Sequence, residues 1–398
     1  MNSRKRGEKT RKEDDMNRVY TVRCADYSEV EEKMDTLLKM MGGIEKFLSP
    51  GEKAVLKVNL LAAAEPEKAV TTHPTVVASV ARLAKGLGAV PVIADSPGSG
   101  YPYTKKSLER TYRSSEMDKV AEDTGIAINY DTTFDVVSYP EGEHFKRFEI
   151  ITPVLEADSL INLCKLKTHG FTHMTGAIKN LFGIIPGLTK PGYHAKLHEK
   201  QHFASMLLDL AAYASPRLSI MDAVVGMEGN GPHSGDPRSV GMLLASSNPL
   251  ALDVVAGEIM GLSKMNNPVL VEAERRGLTP VDMDQVELIG ADPSSLRIPG
   301  FKLPPTVPAI HERFFSFLYP FVKKGFSVKP RIIKDKCQFC GTCRDACPVD
   351  VITVSDKIPA KIDDKGCIRC YCCHEMCPHD AIELHQSWLY RLLNRSRA

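Results

Sequence analysis

One tryptophan stands in 398 residues, the net charge is only +2, and no apolar run reaches the roughly 18 to 20 residues that span a bilayer. Each absence excludes something. With no long apolar run, and none behind the charged N-terminus, neither a membrane span nor a secretory leader is expected, so the chain reads as cytoplasmic. Balanced charge leaves no global field to gather polyanions, so no nucleic-acid partner is expected. Cysteine is scarce outside one stretch: of eleven, only Cys24 and Cys164 lie outside residues 337–377. That crowding argues against an extracellular disulfide scaffold and for metal binding.

What is present is an alternation. From residue 17 to 291, strand-like runs alternate with helical patterns, the signature of an α/β domain with a mostly parallel sheet under crossover helices. Residues 18–23 and 54–61 read as strands. His73-Pro74 opens a helix, because proline suits the first turn, and Val76, Val77, Val80, Leu83, Ala84 and Leu87 share a face before Gly88 stops it. Residues 89–94 return as a strand into the turn Asp95-Ser96-Pro97-Gly98-Ser99-Gly100, completing a βαβ unit. Further strands are expected at 159–164, 218–224 and 240–245, and helices at 201–214 and 249–261. Functional loops belong at the carboxyl ends of such strands.

The flanks differ. Residues 1–16 form a basic tail without apolar periodicity, expected to be disordered, and Met16 is a second candidate start. Five prolines between residues 293 and 308 break the pattern. Residues 292–330, with Phe314, Phe315, Phe317, Leu318 and Phe321, read as a linker that docks a C-terminal domain at 331–386, and 387–398 as a tail.

That domain carries the most specific signal. Cys337, Cys340, Cys343 and Cys347 followed by Pro348 give C-x2-C-x2-C-x3-C-P, and Cys367, Cys370, Cys373 and Cys377 followed by Pro378 repeat it thirty residues later. Asp350 and Ile352 recur as Asp380 and Ile382, so the unit is an internal duplication. Three close thiolates cap three irons of a cubane and the fourth iron takes a ligand from elsewhere. In the bacterial two-cluster ferredoxin run that ligand is the trailing cysteine of the other half. The expectation is an α+β ferredoxin-like domain with two [4Fe-4S] clusters, one on Cys337, Cys340, Cys343 and Cys377, the other on Cys367, Cys370, Cys373 and Cys347. Four-cysteine zinc sites instead show two C-x2-C pairs across a longer loop. Cys372 is left as a spare thiol shielded near a cluster.

In residues 162–170 (NLCKLKTHG) an extended chain sends Lys165, Lys167 and His169 to one face. Residues 173–183 follow as a helical turn or two, capped by Thr175 and ended by Gly183, carrying Lys179 and Asn180; His194 and His198 come next. Lys57 and Asn59 share a strand face, Asp95 and Ser96 sit at a glycine-rich strand exit, and Asp222 precedes the glycine-rich residues 226–231. Such lysines and histidines suit an anionic small molecule, with His169 and Lys179 the candidates for catalysis. Asp95, Asp222, Glu228, Asp236 and Asp253 leave a divalent metal open.

These pieces, KxN at 57, TTHP at 71, ADSPG at 94, KLKTH at 165, TGAIKNLFG at 175 and MDAVVGMEGNGPHSGDPR at 221, resemble the family labelled domain of unknown function 362, which often carries this same ferredoxin. A fainter likeness is to the nickel-pincer lactate racemase family, with His169, Lys179 and His194 or His198 at the matching positions. The function expected is an iron-sulfur oxidoreductase passing electrons between a redox partner protein and an anion or cofactor held in the α/β domain. The alternatives are a non-catalytic carrier or maturation partner and a metal-cofactor isomerase or transferase.

Overall fold

Strands follow in the order β1 (Arg18–Arg23), β2 (Lys53–Lys57), β3 (Val90–Ala94), β4 (Ala127–Ile128), β5 (Phe134–Ser138), β6 (Arg147–Ile151), β7 (Ser159–His169), β8 (His173–Thr175), β9 (Leu218–Glu228), β10 (Asp236–Ser246) and β11 (Glu287–Ile289). The computed structural model describes residues 17–98, 101–187, 189–197, 199–305, 328–355 and 357–385. The basic tail, the aromatic residues of the linker, the C-terminal tail, Ser99, Gly100 and His198 lie outside them. All these strands except the β5–β6 hairpin join one sheet of order β11-β1-β10-β9-β7-β2-β3-β4, with β8 folded back on β7.

Along β2, Ala54 and Leu56 enter one apolar core and Val55 another, so period-two alternation buries both faces. Helices Val30–Met40 and Pro74–Gly86 cover the first face; Lys200–Ala214 and Pro268–Arg275 cover the second. Phe203 is fully buried there, and truncating such a phenylalanine to alanine costs about 3–5 kcal/mol. Parallel pairing of β2 with β3 through helix Pro74–Gly86 is the expected βαβ unit. The strand after β4 that rejoins the sheet, β7, pairs with the opposite edge of β2. The carboxyl ends of β2 and β7 therefore flank a reversal of strand order, where open α/β sheets place their ligands.

Four extents differ from the sequence expectation, each for a physical reason. β2 ends at Lys57 rather than 61 because the next backbone N–H groups leave the sheet: Asn59 donates to Thr72 Oγ1 at 2.9 Å and Leu60 to Asp95 Oδ2 at 2.7 Å. β7 runs on to His169 because β8 and β9 pair with its far half. β9 and β10 run on as one long antiparallel pair, and β10 also pairs antiparallel with β1, so this side of the sheet is mixed. Thr175 is a strand residue, not a cap. Helix Ala177–Asn180 starts after Gly176, and the carboxylate of Asp253 takes the N–H groups of Ala177 and Ile178. Burial pushes Asp253 up to about 7 against those two hydrogen bonds. Gly183 lies inside the following turn, Leu181–Ile184, rather than ending the helix; a Cβ there would meet Asp95 Oδ1 at 2.1 Å.

The C-terminal unit pairs β12 (Lys329–Ile332) with β15 (Ile382–His385) and β13 (Ile352–Ser355) with β14 (Ile358–Ile362). Its duplication is visible in the backbone: Phe339, Gly341 and Asp350 have positive φ, and so do Arg369, Tyr371 and Asp380, each thirty residues on. Where the first half uses glycine at the second of these positions, the second uses tyrosine. Tyr371 donates to Val328 O at 3.0 Å and, with Leu384, joins the core of the main domain beside Phe171.

Candidate functional site

The pocket lies where three strand ends meet. Lys57 closes β2 and Asn59 follows it; Asp95 and Ser96 leave β3; Lys167 and His169 close β7. Lys179 and Asn180 come from helix Ala177–Asn180, Lys190 from helix Thr189–Lys196, and Glu375 from helix Cys372–Glu375 of the ferredoxin unit. Its four lysines face two carboxylates, so the lining is short of negative charge.

Three of the lysines are spent on the protein. Lys57 makes an ion pair with Asp95 at 2.8 Å and donates to Val58 O. Lys190 donates to Ser96 O and Pro97 O, both at 2.6 Å, and burial pushes it down to about 7. Lys167 donates to Asn59 Oδ1 at 2.8 Å and Val70 O at 2.6 Å. Burial, then Lys179 and Lys165, hold it well below the usual lysine range. A chain of amides fixes the floor: Asn59 Nδ2 donates to Asn180 Oδ1, and Asn180 Nδ2 to Asn162 Oδ1, each at 2.8 Å. Lys179 is different. Among the described residues it forms no hydrogen bond or ion pair, and its Nζ sits 5.9 Å from the centroid of Phe182.

His169 is fully buried, and its Nδ1 accepts from the N–H groups of Phe171 at 3.0 Å and Thr172 at 3.3 Å. That leaves the proton on Nε2. Burial, then Lys179, His194, Lys167 and His374, hold the ring well below the usual histidine range, so it stays neutral. Nε2 approaches Glu375 Oε1 to 3.1 Å, out of hydrogen-bond alignment, and both atoms lack a partner. A neutral imidazole held in this tautomer offers a donor, not a base. Burial raises Glu375 to about 7, with Lys179 and Lys167 pulling the other way.

Cys337, Cys340, Cys343 and Cys377 line one cavity with Phe339 and Pro378, and no disulfide joins any cysteine. Burial pushes the Cys343 thiol up to about 11, and Cys377, Cys340 and Cys337 add to the rise. Thiols this crowded are better held as thiolates on a cationic centre, so the donor set fits a [4Fe-4S] cluster. Around Cys373, burial and then Cys370, Cys367, Cys343 and Cys347 raise the thiol in the same way. The trailing cysteine of each run thus sits with the other run's triplet. Cys340 is exposed, while Cys343, Cys370, Cys372, Cys373 and Cys377 are buried, with Cys343, Cys373 and Cys377 in the core of the ferredoxin unit itself. Burial holds Lys179 below the usual lysine range, with Glu375 and then Cys372 pulling the other way.

Residues 54–258, just over half of the chain, match the sequence profile described as domain of unknown function (DUF362). The chain belongs to the DUF362 family. Residues 330–353 match the 4Fe-4S binding domain profile, so this DUF362 protein is an iron-sulfur protein. It is 34% identical over 309 residues to the thylakoid-associated protein of Synechocystis sp., covering 74% of this chain and 91% of that one. Two solved structures overlay on part of the chain. The lactate racemase apoprotein from Thermoanaerobacterium thermosaccharolyticum overlays with a TM-score of 0.41 at 13% identity, over 63% of this chain and 58% of that one. A Thermotoga maritima protein overlays at 0.32 and 11%, over 55% of each. The chain spans little more than half of either structure, and neither likeness bears on the chemistry of the pocket. Among the described residues no helix is long and apolar enough to cross a membrane.

Of the site residues expected from sequence, Lys57, Asn59, Asp95, Ser96, Lys167, His169, Lys179 and Asn180 converge in this DUF362 pocket. Three do not. Lys165 is held by Asp222 at 2.7 Å and by Tyr27 Oη at 2.9 Å, directly across the β7–β9 pair, and the two fully buried charges satisfy each other. His194 is buried among Phe171, Phe182 and Phe203, stacked on the last with centroids 4.5 Å apart, which pushes it down to about 3. The glycine-rich loop after β9 clasps the ferredoxin unit: His374 Nε2 and Asn230 Oδ1 lie 2.8 Å apart, and only Pro232 of it reaches the pocket. The carboxylates left open for a divalent metal are committed elsewhere: Asp253 caps a helix, Asp95 and Asp222 pair with lysines, Glu228 accepts from Lys302 N, and Asp236 is exposed beside Lys302 Nζ, away from the pocket. Glu143, His144 and Glu272 come within metal-ligand reach of one another, but Arg275 and Arg276 occupy the two glutamates. Sequence reading missed Lys190 and Glu375. Only the alignment of Glu375 with Asp345 across the duplication hinted that the position is acidic in both halves.

Proposed function

We propose that the protein is an oxidoreductase with two [4Fe-4S] clusters that passes electrons between a redox partner protein and an anionic small molecule in the pocket of the α/β domain. Bound clusters supply one-electron transfer; the chain's own residues supply the rest. Lys179 and Lys167 hold the anion, His169 Nε2–H donates to it, and the Lys57–Asp95 pair and the Asn59–Asn180–Asn162 chain keep these groups in place.

One observation carries the reading. Helix Cys372–Glu375 holds Cys373, a member of the second cysteine group, and, two residues on, Glu375, a wall of the pocket. The first group, with Cys340 and Phe339 exposed, is the side open to a partner protein. A carrier that only docked to another enzyme would have no use for a lysine-lined pocket against its buried cluster.

The test is reoxidation. Chemically reduced holoprotein is mixed without oxygen with small anionic acceptors, and recovery of the visible cluster absorbance is followed. An acceptor that reoxidises the wild type is expected to fail with Lys179→Ala at equal iron content. Equal rates in both would overturn the reading in favour of a plain carrier.

A further inference from the structure

The unspent hydrogen-bonding groups of the pocket describe its ligand. Buried polar atoms are nearly always paired, so those left open in a cavity mark what a ligand brings. The donors left open are the Lys179 ammonium, one N–H of Lys167, His169 Nε2–H and the unpartnered hydroxyl of Thr175. His169 and Thr175 are each at most 3% exposed, so water does not satisfy them for free. One acceptor is left open beside them: Glu375 Oε1, buried, unpartnered and 3.1 Å from His169 Nε2.

A ligand with acceptors alone would satisfy the donors and press its own oxygens against Glu375. Sulfate is such a ligand at neutral pH, with its oxygens spread on every side, so Glu375 disfavours it. A ligand that also carries a donor would satisfy both. Because the open acceptor lies so close to the open donors, the ligand's donor must lie within a bond or two of its anionic group.

We propose that the pocket takes a small carboxylate bearing a hydroxyl or amino group on the adjacent carbon, with its carboxylate on Lys179, Lys167 and His169, and its donor on Glu375. This rests on the reading of the pocket as an anion site and adds to it that the ferredoxin unit completes the site and sets its specificity. A site built to bond a ligand hydroxyl rejects the analogue without it, because its own buried group is then stranded.

The test uses the full-length holoprotein without oxygen. Calorimetric or saturation-transfer titrations compare glycolate and glycine with acetate, and calorimetry compares all three with inorganic sulfate. At least one of glycolate and glycine is expected to bind 10-fold or more tighter than acetate, and sulfate weaker than that ligand. Lys179→Ala is expected to weaken every carboxylate. Glu375→Leu is expected to bring the preference over acetate down to near unity. Iron content and circular dichroism matching the wild type qualify each variant, and Asp345→Leu, at the equivalent exposed position of the other half, controls for a change beside a cluster ligand. Acetate binding as tightly as glycolate and glycine, sulfate binding tightest, or a preference that survives Glu375→Leu would each overturn the proposal. The two readings fail separately. Selective binding without any reoxidation of reduced clusters by pocket ligands sinks the oxidoreductase reading and leaves this one standing, whereas reoxidation by ligands that bind without the preference does the reverse.

Discussion

His169 Nε2 and Glu375 Oε1 stand 3.1 Å apart with the α/β domain behind one and the ferredoxin unit behind the other. The histidine is oriented by two backbone N–H groups of its own β7–β8 turn, the glutamate by a helical turn that also carries a cysteine of the second group. The pocket is therefore shared by the two units rather than attached to one of them.

Lys179 is a half-buried cation that forms no ion pair among the described residues, which separates its contribution to stability from its contribution to binding. Lys179→Met is expected to leave stability unchanged or raise it by about 1 kcal/mol, since an uncompensated charge in a cavity is costly, while anion binding falls at least 10-fold. Denaturant unfolding and ligand titration of the same preparation check both. Clear destabilisation together with unchanged binding would contradict the assignment.

The neighbouring pair behaves in the opposite sense. Lys165 and Asp222 are both fully buried, so Lys165→Met strands a carboxylate and is expected to cost about 3–5 kcal/mol. Replacing both with apolar residues is expected to recover much of that loss. Pocket binding by the folded fraction should match the wild type, because neither residue lines the pocket.

Asp253 gives a pH signature. Its folded pKa, about 7, lies above the unfolded value of 3.8. A native state that keeps a proton the unfolded chain has released is favoured at the acid end. The contribution is present below about pH 4 and is lost as pH rises through 7. Asp253→Asn is expected to flatten this slope, and to cost about 1–2 kcal/mol at low pH through the weakened cap of Ala177 and Ile178. Unfolding at a series of pH values between 4 and 8 measures it; equal slopes for wild type and variant would contradict the assignment.

His169 is expected to stay neutral with the proton on Nε2 throughout the range from pH 5.5 to pH 8.5, because burial and then the neighbouring Lys179 and Lys167 oppose a second proton, and two backbone donors occupy Nδ1. Nitrogen chemical shifts of the labelled ring in the oxidised protein report this directly. A titration step near the ordinary histidine pKa would be incompatible with the geometry.

Much of this was legible beforehand, and the failures have physical causes. The cysteine runs announce themselves because cluster geometry dictates spacing. Lys57, Asn59, Asp95, Lys167 and His169 were readable because strand ends of a parallel sheet are where ligands bind, and period two places alternate residues on one face. The same rule misassigned Lys165: parity gives the face but not the depth, and a register shift in the β7–β9 pair between Lys165 and Lys167 separates two lysines that look equivalent in sequence. His194 was misread because a histidine inside an aromatic cluster carries no local mark of it. Lys190 and Glu375 arrive from segments far away in the chain, and only tertiary packing brings them in.

The most direct measurement is electron paramagnetic resonance of the anaerobically reduced full chain, with iron determined on the same sample, in the presence and absence of a saturating carboxylate. The account predicts about eight irons per chain and two interacting [4Fe-4S] centres. Occupying the pocket should shift the spectrum of one of them, and Lys179→Met should abolish that shift. About four irons with zinc in the remaining cysteines, or two centres both indifferent to a ligand that demonstrably fills the pocket, would contradict it.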